Sequence, residues 1–127
     1  MTGPIRVLLV DDEPLVLMSL RRLLLRDDFE VTTCSSGADG LALVAQAVFD
    51  LVVSDYMMPT MNGLEFLEQV RPRLPRAARV LLTAQADKTL VDRALESGLL
   101  HLALRKPWDN PALVAALRQV VRAVHPA

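Results

Sequence analysis

Short apolar runs alternate with longer segments of helical period along the whole of this sequence, and that alternation leaves few folds open. Ile5 to Val10 is five apolar residues and one arginine, followed at once by three acids. Pro14 then suits the first turn of a helix, and Val16, Leu17, Leu20, Leu23 and Leu24 recur at helical spacing. Glu30 to Cys34 is a shorter, more polar run that suits an edge strand. Ser36 is placed to cap a second helix with Leu41, Val44 and Ala45 on one face. Asp50 to Ser54 holds the apolar trio Leu51, Val52 and Val53 and ends at Asp55. A loop with Pro59 and Gly63 follows, and Asn62 with Glu65 three residues on forms a capping-box start for a third helix.

The second half repeats the pattern. Arg79 to Leu82 reads as a fourth strand ending at Thr83, and Lys88 to Ser97 as a short fourth helix with Gly98 at its C′ position. Leu102 to Leu104 is the core of a fifth strand that ends in Arg105, Lys106 and Pro107. Asn110 and Pro111 open the last helix, whose Leu113, Val114, Leu117, Val120, Val121 and Val124 form one stripe. Five strands and five helices in strict alternation predict an α/β fold with a parallel sheet.

At 127 residues the chain can bury one core. With 52% apolar and 23% charged residues and a formal net charge of −1, it is expected to be globular. That balance argues against a general binder of nucleic acid or anionic membrane. The longest uncharged stretch, Gly40 to Phe49, is ten residues, where a membrane-spanning helix needs about 20. Met1 to Val7 lacks the basic and apolar regions of a secretory signal. Cys34 is the single cysteine and reads as a small apolar strand-end residue. The expectation is a cytoplasmic, soluble chain.

In an open parallel sheet, ligands bind beyond the carboxyl ends of the strands, so what each strand ends in is informative. Strand one ends in Asp11, Asp12 and Glu13, strand three in Asp55, strand four in Thr83 and strand five in Lys106. Taken singly, each has a structural explanation. Asp11 or Asp12 caps the first helix, Asp55 is an exposed turn residue, Thr83 bonds a turn, and Lys106 is a solvated cation. Taken jointly, four of five strand ends place a polar or charged group on one rim.

Carboxylates gathered there repel by roughly 4 kcal/mol per pair about 4 Å apart at an effective dielectric near 20. Something positive has to offset that, or a pKa has to rise. A hard divalent cation such as Mg²⁺ does so, and a carboxylate beside it can attack phosphorus to give an aspartyl phosphate. Thr83 and Lys106 supply the hydrogen-bond donor and positive charge that a transferring phosphoryl group needs. Lys106 stands out by usage, because the chain has twelve arginines and only two lysines.

The set Asp11-Asp12, Asp55-Tyr-Met-Met-Pro59 with Asn62-Gly63, Leu82-Thr83-Ala84 and Lys106-Pro107 resembles the receiver domain of two-component response regulators, from about Ile5 to Val124. That resemblance implies a single-domain (βα)5 flavodoxin-like fold with strand order 2-1-3-4-5. It implies Asp55 as phosphoacceptor, supplied by a partner histidine kinase or phosphotransfer protein. Asp11 and Asp12 would hold Mg²⁺ together with Asp55 and the Met57 backbone carbonyl. Thr83 would bond the phosphoryl oxygen, Lys106 would pair with it, Ala84 would leave room beside it, and the Lys106–Pro107 bond would be cis. Output is implied through helix 4, strand 5 and helix 5, where the family often dimerises, and Leu99, Leu100 and Trp108 make that region apolar. A C-terminal effector domain outside this chain is a further implied partner; nucleic-acid binding by the chain itself is not expected.

One departure concerns output. Receivers usually carry Tyr or Phe three residues before the lysine, and here that position is Ala103. His101 and Trp108 are the nearby rings, read as a strand-edge histidine and a packing residue. Met57, two after the acceptor, offers no side-chain hydrogen bond to an attacking water, which implies slow loss of the phosphoryl group. A weaker resemblance, carried by Ser54-Asp55-Tyr56, Leu82-Thr83-Ala84-Gln85 and Lys106-Pro107-Trp108-Asp109, is to receivers that precede HD-GYP phosphodiesterase domains. Two alternatives stay open. One is a degenerate receiver acting only as a binding module. The other is a phosphohydrolase of the haloacid-dehalogenase type, which the Asp-Asp-Glu pattern and the short chain disfavour.

Overall fold

The computed structural model of the chain describes residues 3–126. Its elements run β1 Ile5–Val10, α1 Pro14–Leu25, β2 Phe29–Cys34, α2 Gly37–Val44, β3 Leu51–Ser54, α3 Gly63–Val70, β4 Ala78–Thr83, α4 Lys88–Glu96, β5 Leu102–Arg105 and α5 Asn110–Val124. The five strands are all parallel in the order β2-β1-β3-β4-β5. This is the flavodoxin-like arrangement expected from the sequence.

Each inner strand is apolar on both sides because helices cover both faces. Val7 and Leu9 of β1 pack with Leu20 and Leu24 of α1 and with Leu113, Leu117 and Val121 of α5. Leu8 and Val10 point the other way, into a second core cluster with Val44 of α2, Phe66, Leu67 and Val70 of α3 and Ala94 of α4. Ser36 caps α2 by accepting from Asp39 N, and the Asn62–Glu65 capping box that opens α3 has both of its bonds. Gly98 takes φ +79°, the left-handed turn that ends α4. Among the described residues, no helix is long and apolar enough to cross a membrane.

Boundaries move by a residue or two where burial outweighs residue type. Phe29 joins β2 because its ring is buried with α1 and α5. Ala78 joins β4, so Arg79 sits inside the strand, only 2% exposed. Leu99 and Leu100 are buried in the core on the α3–α4 side and therefore do not contribute to an exposed output surface. On α4 the exposed apolar residues are instead Leu90 and Leu95.

Candidate phosphoryl-transfer site

Backbone hydrogen bonds carry the sheet one residue beyond its strands and thereby fix the site. Asp11 N donates to Cys34 O, Asp55 N to Val10 O, and Lys106 N to Thr83 O, at 3.3, 2.9 and 3.1 Å. Each site residue is thus bolted to the neighbouring strand before its side chain does anything. Helix α3 closes in from below. A Cβ at position 63 would lie 2.1 Å from the Asp55 carbonyl oxygen, so only glycine permits that approach. The same carbonyl accepts from the buried Ser54 hydroxyl at 2.8 Å. The sequence pattern flags Gly63 only as a loop residue and gives no role to Ser54, because both act on a backbone atom.

Asp11, Asp12 and Asp55 each bring one carboxylate oxygen within 4.8 Å of the others. Asp11 and Asp55 are buried while Asp12 faces solvent. The Lys106 ammonium, itself largely buried, lies 2.6 Å from Asp11 Oδ2, 3.5 Å from Asp55 Oδ2 and 3.9 Å from Glu13 Oε1. The remaining oxygens are also held: Glu13 N donates to Asp11 Oδ1 and Tyr56 N to Asp55 Oδ1, at 2.9 and 2.8 Å. Burial pushes the Asp11 carboxyl up, and its bond to Lys106 only partly opposes this. Burial pushes Lys106 down, but Asp11, Asp55 and Glu13 together overcome it and raise its pKa. The two partners thus report different balances of one environment: desolvation wins at Asp11, and charge pairing wins at Lys106. The Lys106–Pro107 peptide is cis.

Three of the single-residue explanations fail against this geometry. Helix α1 is N-capped at Glu13 with no side-chain bond, so neither acid is its cap. Asp55 is 5% exposed, which is not a turn aspartate in solvent. Lys106 is not a solvated cation. Thr83 does bond its turn, donating to Gln85 O at 3.0 Å and accepting from Gln85 N at 3.3 Å. Met57 is 57% exposed at the edge of the site.

The sequence matches the response regulator receiver domain over residues 7–118. The chain belongs to that family. It is 36% identical over 123 residues to a probable chemotaxis protein CheY of Rhizobium etli, covering 94% of this chain and 95% of that one. It is 32% identical to the Escherichia coli transcriptional regulatory protein GlrR, covering 98% of this chain and 28% of the regulator. Among solved structures, the signal receiver domain of an HD domain-containing protein from Pseudomonas fluorescens is 32% identical, with a TM-score of 0.90 and coverage of 99% and 100%. The chain therefore spans nearly all of one relative and about a quarter of another. Receivers are signalling switches rather than turnover enzymes. They partner with histidine kinases, bind Mg²⁺ at an acidic pocket and often precede effector domains.

Around the receiver site, the two nearby rings do not stand in for the absent aromatic. His101 lies at the opposite end of β5, where its Nδ1 accepts from Arg79 N at 2.9 Å. Trp108 turns towards α1 and donates to Asn110 Oδ1 at 2.8 Å. Ala103 instead leaves a cavity of about 310 Å³ walled by Leu81, Thr83, Ala84 and Val91. Cys34 is half-buried, and burial pushes its thiol up to about 11, which disfavours the thiolate.

Proposed function

We propose that this receiver accepts a phosphoryl group on Asp55 from the histidine of a partner kinase or phosphotransfer protein, and that the change alters a partner-binding or dimerising surface on α4, β5 and α5. The observation that carries the reading is the cluster of Asp11, Asp12 and Asp55 carboxylates at one sheet rim, with the Lys106 ammonium against Asp11 and Asp55. Hard oxygen donors in a cluster that is part buried and part open suit Mg²⁺. Asp11, Asp12 and Asp55 would hold it with the Met57 carbonyl, which accepts no hydrogen bond among the described residues. When bound, the ion offsets charge on the phosphoryl oxygens.

The chain's own groups account for the rest. An Asp55 carboxylate oxygen bonds to phosphorus as the donor's P–N bond breaks, with the electron pair remaining on the imidazole nitrogen. The Tyr56 N–H fixes the plane of the carboxylate. Lys106 shifts from Asp11 towards the new charge. The Thr83 hydroxyl exchanges the Gln85 carbonyl for a phosphoryl oxygen, and the small side chain of Ala84 leaves that approach open. The donor has to rest beside this rim. Helix α1 leaves the rim carrying exposed Leu15, Met18 and Leu25, a stripe on one helical face.

The deciding experiment is intact mass after incubation with Mg²⁺ and a small phosphodonor. One added phosphoryl group in wild type and none in Asp55→Asn is expected. A folded, Mg²⁺-binding protein that gains no mass would favour the degenerate binding module, and steady release of phosphate from small esters would favour the phosphohydrolase. Met57→Asn is expected to shorten the lifetime of the phosphorylated form.

A further inference from the structure

The Asp55 carboxylate is held through its own backbone, and the strand residue before it takes part. The sheet fixes the Asp55 N–H, which donates to Val10 O at 2.9 Å. The next peptide unit lies beyond the ladder, and among the described residues no backbone N–H donates to the Asp55 carbonyl. Its donor is the Ser54 hydroxyl, at 2.8 Å. Helix α3 walls this carbonyl in at Gly63, where a Cβ would lie 2.1 Å away. A backbone acceptor buried in this way needs a partner.

Packing alone does not account for a serine here. Along β3, Leu51 and Val53 enter the core on the α1–α5 side, and Val52 enters the core on the α3–α4 side. The pleat puts Ser54 on the Val52 side, where it is 0% exposed. An apolar residue would gain more from burial at that place, and a hydroxyl left unbonded there would cost free energy. The hydroxyl spends its proton on the Asp55 carbonyl.

Peptide planarity carries that bond to the carboxylate. The C=O of Asp55 and the N–H of Tyr56 belong to one rigid trans unit and point in opposite directions. That N–H donates to Asp55 Oδ1 at 2.8 Å. Any turn of the plane that pulls the carbonyl off Ser54 also swings the N–H off the carboxylate. With Oδ1 tied, Oδ2 stays on the side of Lys106, 3.5 Å from its ammonium. Gly63 N donates to Tyr56 O at 2.8 Å and pins the following peptide as well.

We propose that Ser54 is a positioning residue for phosphoryl transfer: its hydroxyl sets the Asp55–Tyr56 peptide plane, and that plane sets the carboxylate for attack on phosphorus. The inference rests on the reading of Asp55 as acceptor. A carboxylate free to turn about its Cβ–Cγ bond spends less time aligned with the donor's P–N bond, and small misplacements of reacting groups are costly in rate.

The test compares Ser54→Ala, Ser54→Cys and Ser54→Thr with wild type by intact mass during incubation with Mg²⁺ and phosphoramidate. Alanine removes the donor, cysteine nearly keeps the volume but donates weakly, and threonine keeps the hydroxyl. The alanine and cysteine variants should lose about tenfold in maximal rate, with the half-saturating phosphoramidate concentration little changed, and threonine should recover most of the loss. A second readout needs neither Mg²⁺ nor donor. The Tyr56 amide proton, hydrogen-bonded in wild type, should move upfield in the alanine and cysteine variants and hold its place in the threonine variant. A wild-type rate in the cysteine variant would assign the effect to packing and overturn the proposal, as would an unmoved Tyr56 amide in the alanine variant. If threonine crowds the buried position and unfolds the chain, the alanine and cysteine variants decide alone. A wild-type protein that is never phosphorylated would instead defeat the acceptor reading, and the Tyr56 amide would still show whether Ser54 sets the plane.

Discussion

At the carboxyl ends of the strands three carboxylates converge on one ammonium, whereas at the amino ends a buried guanidinium is surrounded by backbone carbonyls and no carboxylate. Arg79 Nε donates to Leu99 O at 2.7 Å, Nη2 to Gly98 O at 3.1 Å, and Nη1 to Ala77 O at 3.1 Å and Pro75 O at 3.4 Å. Burial, and Arg71 nearby, lower its pKa. His101 sits beside it, lowered first by burial and then by Arg79 and Arg71. The difference is one of exchangeability. Charged side chains on one rim can trade partners when a cation or a phosphoryl group arrives. Carbonyl dipoles fixed by strand geometry on the other rim cannot, so that end works as a rigid clamp between the α3–β4 and α4–β5 loops.

Removing the exchangeable cation is the severest way to break the comparison. Lys106→Met leaves Asp11 and Asp55 buried without their counter-charge and should cost about 3 kcal/mol by denaturant unfolding without Mg²⁺. Mg²⁺ should stabilise this variant more than wild type, because the unpaired carboxylates bind a cation more tightly; equal stabilisation would mean that Lys106 is not their main counter-charge. Arg79→Met should cost about 2–3 kcal/mol, since orphaned carbonyls are only partly offset by an apolar replacement. Its response to Mg²⁺ should match wild type, and a changed response would link the two rims.

Asp50→Asn probes the one carboxylate ion pair on the clamped side among the described residues. Burial would raise the Asp50 carboxyl, but three contacts from Arg6 outweigh it and hold the pKa below the usual carboxylate range. A depressed pKa contributes stability above the ordinary value of about 3.9, and that stability is lost as pH falls through the folded-state value. The variant should therefore be about 1 kcal/mol less stable at neutral pH, a modest figure because Arg6 is half exposed. The gap should close as pH falls below that of ordinary carboxylate titration, and a gap that persists there would assign the effect to packing. The smallest effect is expected from Ala103→Phe, which places a ring in the cavity beside Thr83 and removes no charged group. A gain of up to about 1 kcal/mol in thermal unfolding would show that the cavity can accept a ring, and a loss of that size would show that its walls cannot.

The two rims were also unequally legible. Parallel order and the acidic rim could be read because side-chain identity carries them: apolar trios mark strands buried on both faces, and the last residue of each strand names the chemistry. The clamped rim was opaque, because the partners of Arg79 are carbonyls, which have no letter in a sequence. Arg79 looked like the polar start of a strand, His101 like an edge residue, and Leu99 and Leu100 like surface. Only the turn that ends α4 at Gly98 buries the two leucines and aims those carbonyls inward. Ser54 and Gly63 were missed for the same reason, since both serve the Asp55 carbonyl.

The bond between Lys106 and Asp11 spans 95 positions of sequence, and that separation orders events in time. A ribosome completes the acidic trio when it reaches Asp55, yet the ammonium that reconciles those charges lies 51 residues further on. At about 5–20 residues per second, the nascent chain spends roughly 3–10 s with the trio made and its counter-charge still unwritten. A chain truncated anywhere in that interval carries Asp11 and Asp55 without their counter-charge, so a correctly set acidic rim doubles as a report that the last strand has docked.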